Sequence, residues 1–272
     1  MARKKIALVL AIILACLLIW VMTNRRTDVA ATAAMFMPVV EIKIDSVEEA
    51  YPYNGDPDTV IKHAGFDLSY SEKYEQASWV AYILTREEVE TGNEERTDDF
   101  RPDTAVISGS AVLKDYSGSG YDRGHLAPAA DMKWSAQAMS ESFLLSNMSP
   151  QVPGFNRGVW ARLESKVRDW AVQNDSLLVI TGPVLNNINT FIGESRVGVP
   201  GAYFKVIADI SYPEYKAIAF LLENKSSGDD LFSFAVTIDS VEKVTGYDFF
   251  SNLPDQEMVE WFESRLITTG WK

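Results

Sequence analysis

The sequence predicts an α+β fold, and three observations carry that reading. Four short apolar, β-branched runs read as buried strands: SWVAYILT at 78–85, SLLVITGP at 176–183, AYFKVIADI at 202–210 and KAIAFLLEN at 216–224. One segment, NRGVWARLESKVRDWAVQN at 156–174, repeats Val159, Trp160, Leu163, Val167 and Trp170 at helical spacing. Strands and helices do not alternate regularly, as a doubly wound parallel sheet requires. With 272 residues, 47% of them hydrophobic, the chain can bury a sizeable core in one large domain.

At the N-terminus, Arg3, Lys4 and Lys5 precede an unbroken apolar run from Ile6 to Met22, and Arg25 and Arg26 follow it. At about 1.5 Å per residue the run lies at the short edge of what spans a bilayer. It has no polar face of the kind a core helix shows. Residues 1–26 therefore read as a signal-anchor, oriented N-in and C-out by the slightly heavier N-terminal positive flank. A cleaved signal peptide and a lipoprotein signal ending at Cys16 are the alternatives. Either way the body faces the periplasm or the exterior, tethered to the membrane or secreted. Residues 27–59 read as a linker ending in the turn-rich YPYNGDPD, and residues 60–272 as the folded domain.

Cys16 is the only cysteine, so the body has no disulfide and no thiolate metal site. His63 and His125 are the only histidines, which excludes a multi-histidine zinc centre. Any metal must be held mainly by oxygen, which points to Mg²⁺, Mn²⁺ or Ca²⁺. The net charge of -13 argues against a nucleic-acid ligand when taken alone. Its distribution argues the other way. Between Arg96 and Arg168, nine Lys and Arg stand against eight Asp and Glu, so nearly all the excess acid lies elsewhere. That pattern is either chance or a cleft tolerant of a polyanion within an acidic shell.

In the predicted helix, Asn156 falls in the middle of the apolar stripe, and Glu164 sits about 80° round on its margin. A polar amide on an inward face needs a partner. Asn156 is either an N-cap shortly after Pro153-Gly154 or a functional group, with little to choose between them. Upstream stands SGYDRGHLAPAADM, and between them SESFLLSNMSPQVPGFN. A strand ending at His125, a second at Phe143–Ser146, a loop through SPQVPG and then the helix make a β-β-α unit, which can bring His125 and Asn156 to one cleft. Such a cleft suits phosphodiester hydrolysis. Imidazole is a base near neutrality, a hard cation stabilises charge on phosphate and leaving oxygen, and arginines bind phosphate through paired donors. Singly these residues are weak signals: a lone histidine is more often a structural hydrogen-bonder, and Asp122 with Arg123 could be a surface pair.

Together, YDRGHLAPAADM, SNMSPQ and FNRGVWARLE resemble the DNA/RNA non-specific endonucleases of the ββα-metal, or His-Me finger, class, endonuclease G-like. Their hallmark Asp-Arg-Gly-His is intact at 122–125. The likeness runs on through VITGPVL, VPGAYFKVI and TGYDFFSNLP, roughly residues 60 to 265. It implies a central, mostly antiparallel sheet flanked by helices. It also implies Mg²⁺-dependent (or Mn²⁺-dependent) hydrolysis of DNA and RNA to 5′-phosphate and 3′-hydroxyl ends. By resemblance, His125 is the general base and Asn156 the direct metal ligand. Glu164 is the acid that holds a metal-bound water and helps protonate the leaving oxygen. Arg123 contacts phosphate, and Asn147 supports the base. A further arginine on the phosphate is best matched by Arg96, with Arg86 and Arg101 as alternatives. A homodimer and a proteinaceous inhibitor are further partners the resemblance admits. The competing reading is a catalytically silent, envelope-anchored nucleic-acid-binding module.

Overall fold

The computed structural model describes residues 47–53, 60–209 and 216–272. The expected signal-anchor and most of the expected linker, residues 1–46 and 54–59, lie outside the described residues. The described residues all belong to one compact unit, Ile42–Lys272. Among the described residues, no helix is long and apolar enough to cross a membrane. Residues 47–53 lie against the domain: Ala50 is buried, and the Tyr51 and Trp79 rings are 5.0 Å apart.

Eleven strands occur among the described residues: β1 (Val60–Lys62), β2 (Asp67–Ser71), β3 (Gln76–Thr85), β4 (Asp122–His125), β5 (Met148–Gln151), β6 (Ser176–Pro183), β7 (Phe191–Ile192), β8 (Val197–Gly198), β9 (Ala202–Asp209), β10 (Lys216–Glu223) and β11 (Ala235–Val236). Seven of them form one antiparallel sheet in the order β1-β2-β3-β6-β9-β10-β11. The four strands read from the sequence are β3, β6, β9 and β10, which lie side by side at its centre. Both faces of the sheet are covered, which is why these strands are near-continuous apolar runs rather than alternating ones. On β6, Leu177 and Val179 pack on one side while Leu178 and Ile180 pack on the other. Tyr203 and Ile207 of β9 share the first face, and Phe204 and Val206 the second.

Six α-helices are described: α1 (Arg86–Thr91), α2 (Leu113–Tyr116), α3 (Ala136–Glu141), α4 (Ala161–Gln173), α5 (Ile238–Thr245) and α6 (Gln256–Glu263). The apolar stripe predicted from the sequence puts Leu163, Val167 and Trp170 of α4 onto the first face. Ile238, Val241, Val259 and Phe262 from α5 and α6 cover the second.

The β-β-α unit is present with two corrections. The second strand is β5, Met148–Gln151, and not Phe143–Ser146. The FLL run is buried as turn and 3-10 helix with a single bridge from Leu144 to Arg101, so its hydrophobicity reflects packing under the site more than strand pairing. Pro150 of the supposed loop pairs opposite Arg123, because a two-stranded ladder has a free edge where a missing N–H does no harm. The predicted helix is also split. Phe155–Trp160 form a π-helical turn, and Gly158 within it has φ -109° and ψ -109° before α4 begins. A uniform 100° step does not describe Asn156, which lies in this widened turn.

On the face away from the hairpin, Glu263 is buried and its Oε1 has no hydrogen-bond partner. Burial, then Glu242, Asp248, Asp239 and Glu260, push its carboxyl up to about 8. The folded state therefore holds a proton that the unfolded chain releases above the usual carboxylate range. Stability conferred this way is complete at acid pH and is lost as pH rises to about 8. Glu263→Gln is expected to flatten the decline of Tm between pH 5 and pH 9 and to raise Tm at pH 8, by roughly 2–4 °C per kcal/mol relieved. Thermal denaturation of both proteins across that range checks it.

Candidate active site

The chain enters β4 through Gly118 (φ +70°) and Gly120 (φ +85°), both in the left-handed region that favours glycine. Gly124 has a different reason to be glycine. It lies in extended strand, and a Cβ there would sit 2.1 Å from the Gln151 side chain. The close approach of β4 to β5 requires it.

The register pairs Asp122 with Gln151 and His125 with Met148. His125 sits at the end of this ladder in a frame of two phenylalanines and two arginines. Its ring centroid lies 5.1 Å from Phe143 and 5.9 Å from Phe100, both edge-on. The Arg96 guanidinium lies 4.7 Å from the Phe143 centroid, and that of Arg123 lies 4.2 Å from the Phe100 centroid. Cation–π contact thus holds a positive charge on each side of the imidazole. Among the described residues the His125 ring makes no hydrogen bond, and its Nε2 is buried without a partner. That contrasts with His63, whose Nε2 is 3.0 Å from Asp103 Oδ2 and whose Nδ1 is 4.0 Å from Glu141 Oε2. His63 is the structural hydrogen-bonder; His125 is not. Burial, then Arg96 and Arg123, push the His125 imidazole down to about 3. It is neutral across the physiological range, as a base must be.

Asn147 supports the chain just beyond the histidine rather than its ring. Fully buried, it accepts from the Ala127 N–H (2.9 Å) and donates to the carbonyls of Ala127 (2.9 Å) and Ser142 (2.8 Å).

Asp122 ties the hairpin to the helix. Its carboxylate accepts from Asn156 Nδ2 (2.9 Å) and from Arg157 Nε (2.8 Å) and Nη2 (2.5 Å). Those donors hold its carboxyl below the usual range despite burial. The pair with Arg123 considered from the sequence does not form; Arg157 takes that place. Nor is Asn156 a cap: Gly154 occupies the N-cap without a side-chain bond. A carboxylate only accepts, so it fixes the NH₂ end of the Asn156 amide and leaves Oδ1 as a hard oxygen donor. No three of His, Cys, Asp and Glu among the described residues could hold a metal ion. The donor set present, one oriented amide oxygen with a carboxyl on the same helix, fits a cation that keeps most of its water, such as Mg²⁺.

Glu164 lies on α4 in a charged cluster. Burial pushes its carboxyl up to about 7; Lys205 opposes this, Asp131 adds to it, and Arg168 and Arg96 oppose it. Arg168 Nη1 donates to Asp131 Oδ1 (2.8 Å), and the Tyr82 hydroxyl donates to Asp131 Oδ2 (2.7 Å). Arg96 is felt by both His125 and Glu164 and so connects the two halves of the site. Each of the three candidate arginines has a carboxylate partner; for Arg96 it is Asp98, whose Oδ1 accepts from Nε at 2.7 Å. Arg86 donates to the Val172 carbonyl (2.7 Å) and pairs with Asp175, whereas Arg101 binds Asp99 and the Ser140 carbonyl. A cavity of about 340 Å³ lined by Arg96, Ala129, Lys133 and Met139 opens beside Arg96. Asp122 as a link, the two phenylalanines, Asp131, Arg168 and Lys205 were not read from the sequence. A lone lysine inside the apolar run AYFKVIADI was the available signal for the last.

The family model of DNA/RNA non-specific endonucleases matches residues 45–256. A nuclease of Nostoc sp. is 34% identical over 203 residues, which cover 69% of this chain and 72% of the relative. Nuclease C1 of Cunninghamella echinulata var. echinulata is 36% identical over 218 residues, covering 73% and 86%. Among solved structures, the EndoG/EndoGI complex, described as showing the mechanism of EndoG inhibition, superposes with a TM-score of 0.68 at 31% identity. The match covers 76% of this chain and 90% of that one.

With only two histidines, ring-labelled NMR resolves each imidazole. In the free protein His125 is expected to show no protonation between pH 5 and pH 9; a midpoint near the ordinary value of about 6.5 contradicts the environment described.

Proposed function

The chain belongs to the DNA/RNA non-specific endonuclease family, and on that premise we propose that this nuclease is a metal-dependent phosphodiesterase acting on DNA and RNA alike, with His125 as general base. The observation that carries the reading is the bond from Asp122 to Asn156, because it couples the strand bearing the base to the amide that would hold the metal.

Arg123 and Arg96 grip the non-bridging oxygens of one phosphate. Neutral His125 accepts a proton from the attacking water. A phosphate seated between the arginines cancels their charge and raises the affinity of the imidazole for that proton. Water oxygen bonds to phosphorus, the bond to the 3′ oxygen breaks, and Glu164, poised near neutrality, returns a proton to that oxygen. The products are a 5′-phosphate and a 3′-hydroxyl. Asn156 Oδ1 would hold Mg²⁺ or Mn²⁺, which when bound supplies Lewis-acid stabilisation of charge on phosphate and leaving oxygen. Recognition confined to phosphate, sugar and metal carries no base information, which accounts for indifference to sequence.

In this reading residues 1–26 tether or export the body to the periplasm or exterior, where it meets extracellular nucleic acid. The likeness to EndoG, solved in complex with EndoGI, supports a proteinaceous inhibitor as a further partner; the family also suggests a homodimer.

The decisive assay is digestion of plasmid with Mg²⁺, with and without chelator. Cleavage abolished by chelator is expected; binding without cleavage would favour a silent module. His125→Ala is expected to lower turnover by about 10²–10⁴-fold with the fold retained, and an unchanged rate removes it as the base. Asn156→Ala is expected to shift the Mg²⁺ titration of activity by at least about tenfold while leaving DNA binding in chelator intact. An unaltered titration rules out the ligand role.

A further inference from the structure

Lys205 lies in β9, at the centre of the sheet, and is fully buried. It pairs in register with Thr181 of β6 and Phe220 of β10. By strand alternation its side chain shares the face of Tyr203 and Ile207, the face covered by α4. The ammonium lies 4.9 Å from the Trp160 ring centroid, and its Nζ has no hydrogen-bond partner. Burying an ammonium without a partner is costly, so chains rarely do so without a purpose.

Trp160, Glu164 and Arg168 recur at four-residue intervals and so line one side of the helix, facing the sheet. Arg168 closes onto Asp131 in a direct 2.8 Å ion pair that Tyr82 completes. Glu164 and Lys205 feel each other's charge, yet make no direct ion pair. The first pair is a closed structural contact. The second is open: each charge is the other's largest electrostatic partner, but the carboxyl stays free for another group.

We propose that Lys205 is a positioning residue for Glu164: its ammonium, fixed in the sheet beneath the helix, orients the carboxyl toward the departing oxygen without touching substrate. This inference rests on the role given to Glu164 above. Burial alone drives the Glu164 carboxyl up and the Lys205 amine down, and each opposes the other's shift. Removing one charge of a buried pair is costly while the other stays charged, but without Lys205 burial pushes the Glu164 carboxyl further up and it takes a proton, so the lysine can be removed without stranding a charge.

The test is a double-mutant cycle in the full-length chain, purified in detergent, on an end-labelled duplex with Mg²⁺: wild type, K205M, E164Q and K205M/E164Q. K205M is expected to lower kcat by about 10–100-fold with KM changed less than about twofold, as for residues that orient a primary group. In the E164Q background the same substitution is expected to change kcat by less than about twofold, because the residue through which it acts is gone. K205R, which restores the charge, is expected to recover part of the loss. Equal losses from K205M in both backgrounds, or no loss in the first, overturn the proposal. If K205M does not fold, K205Q takes its place in the cycle; if neither folds, Lys205 is a structural residue and the proposal falls. A wild type that cleaves while the losses simply multiply sinks only the role of Lys205. A wild type that does not cleave sinks the reading beneath it.

Discussion

One carboxylate joins the two halves of the site. Asp122, at the start of β4, receives the Asn156 amide at 2.9 Å and the Arg157 guanidinium at 2.8 and 2.5 Å. Both donors come from a widened helical turn, made irregular at Gly158, that turns Asn156 toward the hairpin before α4 settles onto the sheet. The rest follows from that link. β4 is held against β5 by a register that needs Gly124 to let Gln151 close in, and Asn147 fastens the backbone two residues beyond His125, at Ala127. Helix α4 is held by its apolar stripe on the central strands. The hairpin fixes His125, the helix fixes Asn156 and Glu164, and Asp122 fixes one to the other.

The electrostatics divide labour in the same way. Arg96 and Arg123 stand on the faces of two phenylalanines around a half-buried imidazole, and burial together with their charges lowers its affinity for a proton. Across the site, burial holds the Glu164 carboxyl near neutrality against the pull of Lys205, Arg168 and Arg96. Two titratable groups pushed in different directions by their surroundings are what acid–base chemistry at one bond requires. Between Arg96 and Arg168 basic and acidic residues nearly balance, so the chain's excess acid lies outside the segment that carries the site.

Much of this was legible in the residues, for physical reasons. Strands buried on both faces leave continuous apolar runs, and β3, β6, β9 and β10 were read within two residues of their bounds. The stripe of α4 was legible because its period persists for three turns. Asp-Arg-Gly-His pointed to β4 directly. What the residues concealed was geometry without a period. Phe143 to Leu145 carry strand-like hydrophobicity but pack as a turn, while Ser149, Pro150 and Gln151 look like loop and pair as strand. The widened turn at Asn156 breaks the 100° step on which helical-wheel placement depends. Asp122 was weighed only with its sequence neighbour Arg123, whereas its partners lie over thirty residues away. Pairings of that kind belong to tertiary structure and leave no local trace.

The central claim is that one cation held by Asn156 and one imidazole at His125 address the same phosphate. The most direct measurement is a crystal structure of His125→Ala with Mn²⁺ and a short DNA duplex, phased to locate the metal by its anomalous signal. The account predicts a single Mn²⁺ on Asn156 Oδ1, bound also to a phosphate oxygen, with the space vacated by the imidazole facing the opposite side of that phosphorus from its 3′ oxygen. A metal bound away from Asn156, or a phosphate that lies out of reach of either position 125 or position 156, contradicts it.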